Sequence, residues 1–181
     1  VFDHAYNLFS NENDHEGMPA EYVPGKLLHV FPHANFFWPR GWMPEKTPDR
    51  LDLLQTMTTE MGRAVPVGQS YYDEEFLPEE YRHSLLLARW CTRKITYYPL
   101  IKSDATFKTS EKTLLEGRDL ARPMGVTVGR GGRIFATVSY MAQNEGSPIY
   151  KSDLVLITTK EDSLAHTYKH PDLTQAPVET L

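Results

Sequence analysis

An acidic loop near the start of the chain has the residue types of a hard-cation site. Five of the six side chains from position 11 to position 16 carry oxygen, and calcium takes several oxygen ligands in a flexible geometry. The acid and amide spacing and the missing glycine and distal glutamate exclude an EF-hand. Asn13, Asp14 and Glu16 are therefore the candidate metal ligands, and a solvated turn is the alternative.

Two other residue sets could bind ligands. His29 and His33 have the spacing of a helical zinc pair, but Pro32 lies between them and the context is extended. Four residues of a strand span about 13 Å, which is too far for one shared metal. Three tryptophans have flat apolar faces: Trp38, Trp42 and Trp90. These rings could stack on a ring-shaped ligand or pack between sheets.

Composition narrows the classes of partner. The 181 residues carry a net charge of -5 from 24 acidic and 19 basic side chains, without a basic run, so no nucleic-acid partner is predicted. No stretch approaches the roughly 18 to 20 apolar residues of a membrane span. The single cysteine, Cys91, cannot form a disulfide within the chain and lies in an apolar run typical of a buried small residue. Hydrolase-elbow, P-loop and dinucleotide fingerprints are missing.

These candidates must be positioned by strands. Short apolar runs with alternating or aromatic character recur between turn signals, at residues 5–11, 26–31, 65–72, 84–90, 94–100, 112–115, 125–129, 133–140 and 154–158. Thr92 and Arg93 form a tight connection between two runs. Gly131 and Gly132 indicate a hairpin, because glycine accepts positive φ. A segment at residues 50–59 fits either a short helix or a loop.

The rhythm of these runs indicates the architecture. Four short strands, a polar link and a restart after about 40–50 residues match the blade period of β-propellers. Gly68 and Gly125 lead the two entry strands and would let backbones approach closely. We predict an all-β fold, a partial β-propeller of about two complete four-stranded blades plus part of a third over residues 1–160, with a linker over residues 161–181. A β-sandwich is the rival architecture.

Three segments resemble a known propeller family. The family pattern FPxxYRgxLfvxDWxxxrI is similar to residues 76–95, which read FLPEEYRHSLLLARW and then RKI. Its pattern dvxxGPDGalYv is similar to residues 125–135, GVTVGRGGRIF. Its pattern NLfvtDND…NYGWP is similar to residues 7–39, which contain NLFSNEND and the later NFFWP. The family includes the soluble quinone-dependent glucose dehydrogenases and the large membrane-bound dehydrogenase, haem-binding domain proteins of planctomycete-like bacteria. The resemblance covers roughly residues 1–160.

The resemblance implies a cofactor site for pyrroloquinoline quinone (PQQ) and calcium. Arg122 matches one arginine that holds the quinone carboxylates, and Arg93 would substitute for a lysine whose position holds Thr92. Trp90 is the expected ring contact, and Met124 stands where the family has a second arginine. Calcium is expected on the loop with Asn13, Asp14 and Glu16. The family's catalytic base corresponds to a position before Val1, so no catalytic residue is assigned.

The implied function is oxidation of a sugar or alcohol, with electrons passed to a fused or partner cytochrome c, in a periplasmic or other extracytoplasmic protein. The tail beginning at His170 is similar to the point where such proteins pass into helical repeats and a c-type cytochrome domain, so we expect this chain to be part of a larger protein. No Cys-x-x-Cys-His motif occurs, so no covalent haem is predicted here. Two alternatives are a non-catalytic propeller that binds glycans or protein partners and a calcium-dependent lactonase-type hydrolase.

Overall fold

The structure, a computed structural model, describes residues 1–13, 25–34, 36, 57–58, 61–140 and 151–165. Within these residues the chain forms strands joined by short connections and one short α-helix. The elements are β1 (Leu8–Glu12), β2 (Lys26–Val30), β3 (Pro66–Tyr72), β4 (Ser84–Arg89), β5 (Lys94–Pro99), β6 (Ile101–Ser103), β7 (Thr106–Lys108), β8 (Lys112–Glu116), β9 (Ala121–Val128), β10 (Ile134–Tyr140), β11 (Lys151–Ile157) and α1 (Lys160–Ala165).

All strand pairs are antiparallel. The strands form a four-stranded sheet in the order β3-β4-β5-β8, a three-stranded sheet in the order β9-β10-β11, a β1-β2 pair and a small β6-β7 hairpin. The all-β, antiparallel prediction is confirmed. One sheet in the described residues has four strands, so the predicted count of about two complete blades plus part of a third stays a prediction.

Strand β4 explains why the sequence has an unbroken apolar run there. All six of its residues are buried, because the strand is covered on both faces. Leu86 and Ala88 belong to one core cluster, which also contains Val126 and Ile134 from the three-stranded sheet. Side chains alternate along a strand, so the odd-numbered leucines enter a second core with residues from β1 and β2. A strand between two cores reads as continuously hydrophobic rather than alternating.

The two predicted entry glycines meet where the four-stranded sheet packs on the three-stranded sheet. A Cβ atom built on Gly68 would lie 2.7 Å from the Gly125 Cα and 3.0 Å from the Val126 nitrogen. Real Cβ atoms do not approach backbone so closely, so only glycine at position 68 permits this distance between β3 and β9. The expectation that entry glycines allow close backbone approach is confirmed here.

Several boundaries differ from the sequence predictions. Strand β9 begins at Ala121, four residues before the predicted start, which places Arg122 inside the sheet. Strand β1 begins at Leu8, because residues 5–7 form a turn around the Asp3 carboxylate. The β6-β7 hairpin was not predicted. The hairpin at Gly131 and Gly132 is confirmed, with φ values of 77° and 79°.

The predicted linker begins with a short helix. Thr159 caps α1 by accepting the Asp162 amide at 3.1 Å, and Asp162 also forms an ion pair with Arg133 from the β9-β10 connection. Residues 166–181, the 50–56 segment and the tryptophans at positions 38 and 42 lie outside the described residues. Among the described residues, no helix has the length and apolar character that a membrane span requires.

Candidate functional site

Three segments meet at the end of the four-stranded sheet where β4 passes into β5. The Trp90 amide donates to the Val65 carbonyl at 3.1 Å, and the Gly117 amide donates to the Arg93 carbonyl at 2.7 Å. These bonds tie the β4-β5 turn to the entry of β3 and to the connection from β8 to β9. Three arginines lie along this edge, which we call the arginine end: Arg93, Arg118 and Arg122.

Arg122 is the buried member of the arginine end. Its guanidinium carbon lies 4.4 Å from the centroid of the Trp90 ring, and its Nη1 donates to the Trp90 and Cys91 carbonyls at 3.0 and 3.3 Å. A guanidinium over an indole face is a favourable cation–π arrangement. These contacts hold the guanidinium in one position against the ring. The pair presents a fixed cation beside an aromatic ring.

Arg93 and its neighbours are held in an unusual backbone conformation. Arg93 has φ of 60°, and its Nη1 donates to the carbonyl of Asp119, which itself has φ of 51°. Val65, which contacts the same turn, has φ of 45°. Positive φ is uncommon in residues other than glycine and is an outlier for a β-branched side chain. Such strain collects at functional sites, and three strained residues at one edge favour the arginine end as a site.

The predicted cofactor residues are brought together, with two departures nearby. Trp90, Arg93 and Arg122 are joined through the β4-β5 turn. The Thr92 hydroxyl, where the family has a lysine, is buried and has no hydrogen-bond partner among the described residues. Met124 is 41% exposed on β9. A buried hydroxyl without a partner is costly, so this departure from the family pattern carries an energetic cost at the arginine end.

The predicted cation loop leaves the sheets on the same side. Asn13 directly follows β1 and is exposed, while Asp14 and Glu16 lie outside the described residues. The other end of the loop is held by the Gly25 amide, which donates to the Gly62 carbonyl at 3.0 Å, just before the entry of β3. The loop therefore starts and ends at the side of the arginine end. The described part of the chain contains no group of three His, Cys, Asp or Glu side chains placed to hold a metal.

The two histidines with zinc-pair spacing lie in different parts of the structure, because β2 ends at Val30, between them. His29 lies on β2, is buried against Phe9 and has its Nδ1 3.1 Å from the Thr106 hydroxyl. His33 is exposed in the following turn, with φ of 67°. The two side chains belong to different surroundings, and neither is part of a three-residue metal group within the described ranges.

Sequence reasoning missed part of the arginine end. Arg118 is exposed in the connection from β8 to β9, and Asp119 supplies the carbonyl that holds Arg93. Nothing in the local pattern marks this connection as functional, since a charged pair between two strands is also typical of a solvated turn. The positive φ of Val65, ahead of Pro66, had no signal either, because a valine before proline normally predicts an extended residue.

The opposite end of the four-stranded sheet holds a second polar cluster. The Asp73 carboxylate lies 2.9 Å from His83 Nδ1 and 3.2 Å from His4 Nδ1. The Tyr71 hydroxyl lies 3.3 Å from the same His83 nitrogen. Burial first, and then the nearby Asp73 and Asp3 carboxylates, raise the pKa of Tyr71 to about 12.

This shift makes a prediction for stability at high pH. In the folded state the pKa of Tyr71, about 12, lies above its ordinary value of 10. The neutral phenol therefore contributes fully to the free energy of unfolding below pH 10, and this contribution is lost as pH rises towards 12. We expect Tyr71→Phe to flatten the fall in unfolding free energy between those pH values. Denaturant unfolding of both proteins across that range measures the difference. Tyr6→Phe, which removes an exposed hydroxyl, is the control, and parallel wild-type and Tyr71→Phe curves would contradict the prediction.

Comparisons with known proteins identify the fold but no family. No protein-family model and no curated protein matches this sequence. An oxidoreductase assigned as a glucose dehydrogenase, from Thermus thermophilus, is similar with a TM-score of 0.61 at 18% identity, over 85% of this chain and 42% of that one. A glucose dehydrogenase crystal structure gives 0.62 at 18% identity, over 86% and 42%.

A further glucose dehydrogenase is similar with a TM-score of 0.52 at 17% identity, over 76% of this chain and 35% of that one. The chain thus spans less than half the length of each of these proteins. At these identities the likeness shows the fold: over the shared part, this chain has the all-β fold of glucose dehydrogenases.

Proposed function

We propose that this chain belongs to the β-propeller of a dehydrogenase that oxidises a sugar or alcohol with PQQ. The carrying observation is the arginine end, where Trp90, Arg93 and Arg122 are fixed together in a fold shared with glucose dehydrogenases. Successive antiparallel sheets that pack face to face, with first strands touching at Gly68 and Gly125, support the propeller.

The residues at the arginine end fit a planar, multiply anionic cofactor. Arginine forks suit carboxylates, and Arg93, Arg118 and Arg122 place three cations along one short edge. In the bound state PQQ would accept two electrons from the substrate. The role proposed for this chain is to bind and orient that acceptor, with the Trp90–Arg122 stack as the rigid base of the site.

The calcium site is proposed from the sequence and from where its loop leaves the sheets. Of the three candidate ligands only Asn13 is described, and one amide oxygen falls far short of the six to eight oxygens that calcium takes. We retain the loop with Asp14 and Glu16 as the proposed position, because it leaves the sheets at the side of the arginine end. No part of the reaction is assigned to the metal. A cytochrome c acceptor and an extracytoplasmic location are likewise proposals that rest on the sequence resemblance.

Binding of PQQ to the full-length protein tests the proposal. We expect saturable binding, seen as a shift of the quinone absorbance, and dye reduction when glucose or another aldose is added with calcium. Arg122→Ala should weaken PQQ binding at least tenfold, because a buried cation is lost. Arg122→Lys keeps the charge without the fork and should fall between Arg122→Ala and wild type.

The matched control is Arg130→Ala. Arg130 is an exposed arginine in the β9-β10 connection, at the far end of β9 from Arg122. The Arg130→Ala variant loses the same charge and should bind PQQ within about twofold of wild type, well short of the tenfold loss expected for Arg122→Ala. Absence of PQQ binding by the wild type, or equal affinities of the Arg122→Ala and Arg130→Ala variants, would refute the assignment.

A further inference from the structure

An open aromatic groove lies at the opposite end of the sheets from the arginine end. Its volume is about 440 Å³, within the range of small-ligand sites. Three of its rings are exposed: Phe2, Tyr6 and Phe31, with Tyr6 at 86%. We call this the Tyr6 groove. Its remaining lining comes from Asn7, Leu8, His29, Val30 and Pro32.

The backbone holds Tyr6 away from the core. The Asp3 carboxylate accepts the Ala5 and Asn7 amides at 2.9 and 2.8 Å and the Asn7 side-chain amide at 2.8 Å. The Tyr6 amide donates to the Asp3 carbonyl at 3.1 Å, and Tyr6 has φ of 63°. Left-handed backbone costs about 1 kcal/mol or more for a residue with a side chain. The turn thus presents Tyr6 to solvent in a fixed position.

The opposite wall is also fixed. Phe31 meets the His29 ring edge-to-face at 5.6 Å, and His29 stacks on Phe9 at 5.3 Å. Burial lowers the pKa of His29, and the Asp3 carboxylate opposes this effect, so the imidazole is neutral at neutral pH. With its Nδ1 at the Thr106 hydroxyl and its ring against Phe9 and Phe31, His29 forms a fixed part of the groove wall.

The chemistry of the lining selects the class of ligand. Among the residues that the structure describes, no Lys or Arg side chain lines the groove, and the nearest charge on its own turn, Asp3, is acidic, so an anion is disfavoured. Exposed ring faces attract apolar C–H surfaces, while the Tyr6 hydroxyl and the Asn7 amide offer hydrogen bonds around the rim. A ligand that combines apolar ring faces with uncharged hydroxyl groups is a saccharide.

We propose that the Tyr6 groove is a saccharide-binding site, separate from the arginine end. The exposed ring of Tyr6 stacks on one face of a pyranose, and Phe31 closes the other side. The 440 Å³ groove accommodates more than one sugar ring, so short oligosaccharides bind more tightly than a monosaccharide. Because the arginine end lies at the opposite end of the sheets, this site holds a glycan without occupying the proposed cofactor position.

Saturation-transfer NMR on the full-length protein without PQQ tests this site. Glucose, maltose and cellobiose are the probes, and we expect saturable millimolar binding of at least one disaccharide. Tyr6→Ala should weaken that binding about tenfold and Phe31→Ala by a similar factor, whereas Tyr6→Phe, which keeps the ring, should stay within about threefold. Leu154→Ala, at a 71% exposed position on β11, is the control for loss of exposed apolar surface elsewhere.

Three results would overturn the proposal. The first is that none of the three saccharides gives saturable transfer. The second is that Tyr6→Ala and Leu154→Ala bind the disaccharide equally well. The third is that tetramethylammonium, a cation that aromatic rings also attract, binds in the groove while the saccharides do not. Because PQQ is omitted, each result is independent of the proposed dehydrogenase activity.

Discussion

Replacing Glu111 by Gln is expected to lower the free energy of unfolding by about 3 kcal/mol. Arg89, at the end of β4, is only 4% exposed, and its guanidinium pairs with the Glu111 carboxylate and the Met61 carbonyl. The Tyr98 hydroxyl donates to the same carboxylate oxygen at 2.7 Å. Glutamine keeps the shape of the side chain but removes the charge, which leaves a buried guanidinium without its counter-ion. Breaking a buried pair from one side costs much more than the pair contributes.

A surface pair on the same sheet provides the matched control. Glu116 lies 3.9 Å from Lys94 and its side chain is 62% exposed, so Glu116→Gln should cost less than about 1 kcal/mol. Denaturant unfolding of the full-length variants measures both values. The double replacement Arg89→Met with Glu111→Leu should recover most of the loss, because it removes both charges. Equal effects of Glu111→Gln and Glu116→Gln would show that water already reaches Arg89.

Much of this fold is predictable where a local pattern has one physical solution. The stretch from Leu85 to Ala88 is continuously apolar, and burial of β4 on both faces explains it. The paired glycines at 131 and 132 predict a hairpin, and both have positive φ. The β6-β7 hairpin was missed because each strand has three residues, too few for a periodic pattern to emerge.

The site is predictable only in part. Trp90 and Arg93 are three residues apart, so a tight turn brings them together from sequence alone. Arg122 joins them across about 30 residues, and here only the resemblance to a known pattern indicated the position. The role of Asp119 depends on its backbone carbonyl, and any residue type carries that group. The strain at Val65 is imposed by the surrounding hydrogen bonds, which no local propensity reports.

The close contact between β3 and β9, which we call the seam, gives the second large expected change in stability. We expect Gly68→Ala to destabilise the protein by about 3 kcal/mol, since its Cβ would lie 2.7 Å from the Gly125 Cα. The obstructing atoms are backbone, so no rotamer change relieves the contact and the two sheets must separate. Separation would also disturb Arg122, three residues before Gly125 on β9. Denaturant unfolding gives the energetic cost, and PQQ affinity reports the displaced arginine end.

Two further glycine replacements distinguish this contact from ordinary strain. Gly62 has φ of 56°, and no described residue lies within 4 Å of its Cβ position, so Gly62→Ala should cost about 1 kcal/mol through backbone conformation alone. Among the described residues, a Cβ on Gly125 would meet only the Thr137 side-chain oxygen, at 2.9 Å. Gly125→Ala should therefore be rescued by Thr137→Ala, whereas Gly68→Ala should not. If Thr137→Ala rescued both Gly68→Ala and Gly125→Ala, the strands β3 and β9 could move apart more easily than their backbone contacts imply. These glycines would then not hold the two sheets at a fixed distance.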